Sequence, residues 1–223
     1  MHRKIITTAD GSRTIQLEDW NEVYHSKHGA IEEARHVFIN AGLHHALKTH
    51  SRNALSILEI GFGTGLNAFL SLIESEKNHF TIDYQGVEAY PVTLDEICQL
   101  NYVDLISPKD QHVFDKLHSC NWNKKIRITS FFELTKRQQF FADITDINQF
   151  DMIYFDAFGA RVQPELWTKQ IFKKMFDALK VNGVLVTYAA IGQVKREMID
   201  LGFLVERLQG PPGKRHMLRA IKK

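Results

Sequence analysis

Apolar positions along this chain of 223 residues follow two periods. Leu55, Ile57, Leu58 and Ile60 make a short, almost unbroken apolar run, as expected for a parallel strand buried on both faces. Similar runs lie at 81–87, 150–155, 184–188, 204–208 and 217–220. Between them the spacing becomes helical. Residues 31–49 set Ala34, Val37, Phe38, Ala41 and His45 on one side of a helix. Further helices are expected over about 65–77, 93–100, 164–179 and 193–201. Pro91 opens the second of these, where its missing N–H costs nothing, and Gly202 stops the last. Residues 125–137 contain two period-2 pairs, Ile126/Ile128 and Phe132/Leu134, which fit a hairpin. Asn182-Gly183 is expected to turn the chain into the strand that follows. Residues 102–123 read as an insertion of short helices, and 1–30 as a β-rich arm with a strand at 14–17.

The strand at 55–60 runs straight into EIGFGTGLN (59–67), a glycine turn followed by a helix start. Glycine suits a turn where the backbone must bend tightly and let a ligand approach. The helix N-terminus behind it offers free N–H groups to an anion or carboxylate. Glu59, Gly61, Phe62, Gly63, Thr64, Gly65 and Asn67 are therefore candidate cofactor-binding residues. Dinucleotides and S-adenosyl-L-methionine (SAM) share this layout. A dinucleotide fingerprint usually places its ribose acid about 20 residues past the glycines. Here the strand at 81–87 ends in Glu88, 27 positions past Gly61, and the run at 150–155 ends in Asp156. A second strand-end acid in the same crevice suits methyl transfer to an amine, whose nitrogen has to be oriented. SAM is the expected cofactor.

Strands alternating with helices pair in parallel through right-handed crossovers. The expected fold is α/β, a Rossmann-like seven-stranded SAM-dependent methyltransferase sheet. It is mostly parallel, and a C-terminal antiparallel hairpin supplies its single antiparallel strand. Residues 1–50 would form an arm and helix packed on a catalytic domain at 51–223, one compact unit overall.

Composition is that of a globular protein, with 44% hydrophobic and 24% charged residues. No apolar run reaches membrane-spanning length, and the first residues lack the apolar core of a signal peptide. Cys98 and Cys120 are far apart, as expected of reduced thiols in a cytoplasmic protein. None of the 11 histidines sits in a metal-ligand pattern, so no metal is expected. Net charge is only +2, yet residues 207–223 carry six cations and no acid. Together with Lys195 and Arg196 this basic stretch suits a phosphate-rich partner.

Several longer segments carry a closer resemblance: VYHSKHGAIEEARHVF (23–38), EIGFGTGLN (59–67), GVEAYPVT (86–93), FADI (141–144), YFDAF with QPELW (154–167) and GKRHML (213–218). They resemble the methyltransferase domain of the bifunctional tRNA wobble-uridine enzymes of the MnmC family and its stand-alone relatives. The resemblance implies SAM-dependent methylation of the amine of 5-aminomethyl-2-thiouridine, giving 5-methylaminomethyl-2-thiouridine in the tRNA anticodon stem-loop. It implies that Glu88 holds the ribose, Asp143 the adenine amino group, and Asp156 with Phe158 the substrate amine. Glu33 and Arg35 would lie near the mouth of the site, and Lys195, Arg196, Lys214 and Arg215 would grip the tRNA backbone. DAFGARVQP (156–164) departs from the family's Asp-Gly-Phe-Ala-Pro run. No residues remain for a flavin oxidase domain, so no oxidase activity is expected. Trp167 is expected to pack in the core. An aminopropyltransferase of the spermidine synthase type, a SAM methyltransferase for another substrate, and a non-catalytic tRNA-binding module are the alternatives.

Overall fold

The computed structural model describes residues 2–50 and 53–223. The arm is a small antiparallel sheet of β1 (Arg3–Thr7), β2 (Arg13–Leu17) and β3 (Glu22–Val23). Asp10 builds its first turn, accepting from Thr8 Oγ1 at 2.7 Å and from the Ser12 N–H at 3.0 Å. Its other oxygen accepts from the N–H groups of Ile31 and Glu32, at 3.0 and 3.1 Å. Those are orphan donors in the first turn of α1 (Ala30–Ala34), so one carboxylate ties arm to helix. Burial raises the Asp10 carboxyl, but these hydrogen bonds outweigh it and hold the group down at about 2. The helix expected at 31–49 continues as a π-helical stretch, Arg35–Leu43, and then α2 (His44–His50). The apolar pattern marked the helix but not the wider winding of its middle.

The main sheet begins with β4 (Ala54–Ile60), α3 (Leu66–Asn78) and β5 (Thr81–Glu88). Four short elements follow: α4 (Leu94–Ile97), α5 (Tyr102–Ile106), a 3-10 turn at Pro108–Asp110, and α6 (Gln111–Ser119). The expected hairpin is β6 (Lys125–Arg127) and β7 (Phe132–Gln138). A 3-10 turn at Phe141–Asp143 then leads to β8 (Phe150–Phe155). Beyond it come a 3-10 turn at Pro164–Trp167, α7 (Lys169–Ala178), β9 (Leu179–Thr187) and α8 (Gly192–Asp200). The last elements are β10 (Phe203–Gln209) and β11 (His216–Lys222).

The eight strands lie in the order β10-β11-β9-β8-β4-β5-β7-β6. That is one more strand than expected, because β6 adds an antiparallel edge beside β7. Two strands, β6 and β11, thus run against the rest. The helix expected at 93–100 closes after one turn, fixed by a capping box between Thr93 and Glu96. Asn182-Gly183 lies inside β9 rather than before it. Opposite Phe150 and Met152 the register jumps from Leu179 to Val184, so residues 180–183 bulge outward.

Helices cover both faces. Met152 and Tyr154 of β8 pack with Val37, Phe38 and Phe69 on one side. Their neighbours Ile153 and Phe155 pack with Phe172, Met175 and Met198 on the other. This is the two-residue alternation of a strand buried on both faces. Among the described residues no helix is long and apolar enough to cross a membrane.

Candidate active site

Strand order reverses at β4, with β5 on one side and β8 on the other, and a crevice opens beyond the carboxyl ends of these strands. The backbone locks its floor. Gly61 and Phe62 donate to Val87 O, both at 3.0 Å, and Asp156 donates to Ile60 O at 2.9 Å. Gly61 has φ +91°, and a Cβ there would stand 2.6 Å from the Asp156 carbonyl oxygen. Gly63, at φ +48°, faces the ring of Tyr24, which a Cβ would meet at 3.2 Å. Gly86 clears room on β5 for Phe62, whose ring a Cβ would meet at 2.3 Å.

A cavity of about 1250 Å³ fills the crevice. Glu33, Glu59, Gly61, Phe62, Gly63, Thr64, Asn67, Glu88, Asp156, Phe158 and Lys214, all singled out from the sequence, line it together. Gly65 stands just behind as the N-cap of α3, at φ +70°. Asp143 is exposed at the end of its 3-10 turn, and its neighbours Phe141 and Ala142 face the cavity in its place. Arg35, Arg196 and Arg215 are exposed, and Lys195 is half-buried on α8; none of the four lines the cavity. Lys214 parts company with them. Its ammonium points inward, 2.6 Å from Glu33 Oε2 and 3.9 Å from the centroid of the Tyr188 ring. A phosphate-gripping face made of Lys214 and Arg215 together is therefore not what the structure contains.

Carboxylates dominate the electrostatics. The Asn67 amide donates at 2.9 Å to both Glu59 Oε1 and Asp156 Oδ2, joining two acids through one side chain. Burial, and then the charge of Glu33, push the Asp156 carboxyl up to about 7, while Asn67 and Lys214 pull it back. Burial also raises Glu59, which is 1% exposed, well above the ordinary carboxylate range. His25 lines the cavity and bonds Thr14 Oγ1 through Nδ1 at 2.8 Å. Burial, helped by the Lys214 charge, holds the imidazole down at about 4, so it is neutral at physiological pH.

Sequence reading missed one wall. Trp20, Glu22, Tyr24 and His25 from the arm close the cavity. Tyr24 packs edge-on to Phe158 at 4.9 Å, and Trp20 does so at 6.3 Å. Arg161 fastens the loop after Asp156 to this wall, bonding Glu22 Oε2 at 2.8 Å and the carbonyls of Trp20 and Asn21. The one signal available was three aromatic or imidazole residues within the six of WNEVYH (20–25), in an otherwise polar arm. Trp167 is a core residue, as expected, and donates to Phe158 O at 2.7 Å.

Comparison with known proteins places this geometry. The bifunctional tRNA 5-methylaminomethyl-2-thiouridine biosynthesis protein MnmC of Marinomonas sp. is 30% identical over 214 residues, covering 89% of this chain and 31% of that protein. The chain spans about a third of the length of the curated relatives it matches. MnmC2 from Aquifex aeolicus superimposes with a TM-score of 0.80 over all of this chain and 70% of its own, at 22% identity. The 1,6-didemethyltoxoflavin-N1-methyltransferase of Burkholderia thailandensis, solved with S-adenosylhomocysteine, gives 0.52 at 12% identity, over 86% of this chain and 79% of its own. These structures share the fold. The family described as S-adenosyl-L-methionine-dependent methyltransferase matches residues 116–223. Over that stretch the chain is similar to S-adenosyl-L-methionine-dependent methyltransferases.

The chain's own residues fit S-adenosyl-L-methionine. A Cβ at Gly61 would meet the Asp156 carbonyl and one at Gly63 the Tyr24 ring, so glycine keeps this turn close against its neighbours at the cavity. Asn67 Oδ1 is buried beside the cavity and has no hydrogen-bond partner among the described residues. Glu88 accepts from the N–H groups of Gly63 and Tyr90, at 3.1 and 3.0 Å, which fixes its carboxylate at the carboxyl end of β5. Glu88→Ala is expected to weaken SAM binding by about 1.5–3 kcal/mol, the worth of charge-assisted bonds. Calorimetry giving wild-type affinity would remove Glu88 from the cofactor site.

Proposed function

We propose that this protein is a SAM-dependent methyltransferase that acts on the exocyclic amine of 5-aminomethyl-2-thiouridine at the wobble position of tRNA, giving 5-methylaminomethyl-2-thiouridine. The observation that carries the reading is Asp156. A carboxylate poised near 7, held by Asn67 and opening on a cavity with an aromatic wall, suits an alkylamine nucleophile. The names of the curated relatives support the substrate.

The cofactor supplies a methyl group on sulfonium sulfur, an electrophile. The chain's own residues do the rest. The amine arrives mostly as an ammonium, so one proton must leave before the nitrogen can react. Asp156 accepts that proton and its hydrogen bond aims the freed lone pair into the crevice. Asn67 fixes the carboxylate by holding Oδ2 and leaves Oδ1 for the amine. Phe158, Trp20 and Tyr24 shield the nitrogen from water. A wobble base lies in a single-stranded loop and is free to be splayed into such a pocket.

The direct test is purified enzyme with SAM and tRNA carrying 5-aminomethyl-2-thiouridine, followed by mass spectrometry of the nucleosides. Gain of one methyl on that nucleoside is expected. No gain, with transfer to putrescine from decarboxylated SAM, would make the enzyme an aminopropyltransferase. The exposed cations Arg196 and Arg215 are expected to touch phosphate. Replacing both with alanine should raise the KM for tRNA and lower its salt slope by about 0.7–0.9 for each phosphate no longer neutralised, with SAM affinity unchanged. An unchanged salt slope would make these two residues ordinary surface.

A further inference from the structure

Acidic side chains surround the cavity, and an incoming alkylammonium has several places to go wrong. Glu22, Glu33, Glu59, Glu88, Glu96, Asp156 and Glu165 all line it, Glu96 bonded by Arg3 and Thr93 and Glu165 exposed to solvent on its 3-10 turn. The hydrogen bonds take most of them out of play. Glu22 is held by Arg161 at 2.8 Å. Glu88 receives the Gly63 and Tyr90 N–H groups on its two oxygens. Glu59 bonds Asn67 and is sealed under the floor. Glu33, 6% exposed, takes the Ser26 N–H on Oε1 at 3.3 Å and the Lys214 ammonium on Oε2 at 2.6 Å. Asp156, half-buried, carries one hydrogen bond on Oδ2 and none on Oδ1 among those of the described residues.

The Lys214 ammonium is itself held from two sides. Glu33 binds it, and the Tyr188 ring lies 3.9 Å beneath it, a cation–π contact in a sheltered place. Tyr188 is in turn anchored, its hydroxyl donating at 2.9 Å to the carbonyl of Ala157, the residue after Asp156. One chain of contacts thus joins α1, the turn before β11, the end of β9 and the loop that carries Asp156.

We propose that Lys214, clamped between Glu33 and Tyr188, is a positioning residue that occupies Glu33 and so leaves Asp156 as the one carboxylate inside the solvent-exposed rim able to receive the substrate amine. The ammonium also faces Asp156 and opposes the charge of Glu33 there. Other groups around Asp156 are Glu59 from β4, Glu88 from β5, Asn67 from α3, Tyr188, and Glu22 with Arg161. Two cations line the cavity, Lys214 and Arg3, and Arg3 is engaged by Glu96 at 3.1 Å. Remove it and two things follow. Glu33 becomes a rival acceptor that holds the amine out of line, and Asp156 keeps its proton to higher pH.

This proposal rests on the amine-methylation reading above, so its test has a readout that does not need the substrate. Lys214→Met, Glu33→Gln and the double variant are compared, with Lys214→Arg as the conservative control. In the cofactor-free protein, the Asp156 carboxyl midpoint is followed by carbon-13 NMR, assigned with Asp156→Asn. Lys214→Met should raise the midpoint by about one unit and Glu33→Gln should lower it by a similar amount. The double variant should lie near wild type, and Lys214→Arg should stay with wild type. In turnover, Lys214→Met should cut kcat about tenfold or more with KM for tRNA unchanged or lower, the signature of a tight but misdirected substrate. Adding Glu33→Gln should recover much of that kcat. Midpoints that stay put or move the same way, or kcat losses that simply add, overturn the proposal. Opposed midpoints in an enzyme that leaves 5-aminomethyl-2-thiouridine unmethylated would uphold the positioning role and overturn the substrate reading alone.

Discussion

Asp156→Ala is expected to lower turnover about a hundredfold to ten-thousandfold while SAM affinity stays near wild type, because the carboxylate acts on the amine. The acid limb of the wild-type rate profile should fall near pH 7, where Asp156 loses its proton. The same shift fixes an effect on stability. Asp156 rises from 3.8 in the unfolded chain to about 7 in the folded one, so the folded state holds the proton more tightly. Stability is therefore full below about pH 4 and is lost as pH climbs toward 7, by at most about 4 kcal/mol before screening at the cavity mouth reduces it. Asp156→Asn removes that loss. The inactive variant should melt higher than wild type at pH 8 and alike at pH 4. Near-normal turnover, or a variant that melts lower at pH 8, would assign Asp156 to structure.

Gly61→Ala should abolish measurable SAM binding and lower the melting temperature. Its φ of +91° is strained for any side chain, by about 1–3 kcal/mol. The added carbon would also stand 2.6 Å from the backbone carbonyl oxygen of Asp156, just past β8. Both residues lie just past the β4–β8 ladder and are pinned there, Gly61 by its N–H to Val87 O and Asp156 by its N–H to Ile60 O. Gly63→Ala is milder. Its φ of +48° is accessible, and the obstacle is the edge of Tyr24, a side chain that can shift. Calorimetry and thermal melts on both variants check the order. Wild-type SAM affinity in Gly61→Ala would mean that the turn does not cradle the cofactor.

The sequence made this ranking only half visible. Glycines at 61, 63 and 65 announced a turn against a ligand, and acids closing two apolar runs announced the crevice, because both signals are local. What Gly61 touches is set by β8, some ninety positions away in sequence, and no local pattern carries that. Lys214 shows the same limit. Among six cations in the last seventeen residues it reads as one more surface charge. Its inward turn depends on Glu33 and Tyr188, brought to it by other elements. The arm was legible as β-rich, yet the role of Trp20 and Tyr24 follows from where Asp10 ties it to α1. Strand β6 has three residues, too few for alternation to stand out, and the bulge at 180–183 hides behind a dipeptide that normally marks a turn.

The place of β11 in the sheet bears on how the protein is made. This strand follows all the others in chain order, yet it is threaded between β10 and β9 rather than added at an edge. A nascent chain that has reached residue 209 already holds the glycine turn, Glu88 and Asp156. Its β9 still presents an open row of N–H and C=O groups, and β10 has no strand to pair with. Such an edge recruits other chains. Lys214 arrives on the turn that leads into β11, so the same late event seals the sheet against aggregation and completes the charge balance of the site. Closure of the sheet and completion of the site are thereby one event, carried by a single hairpin.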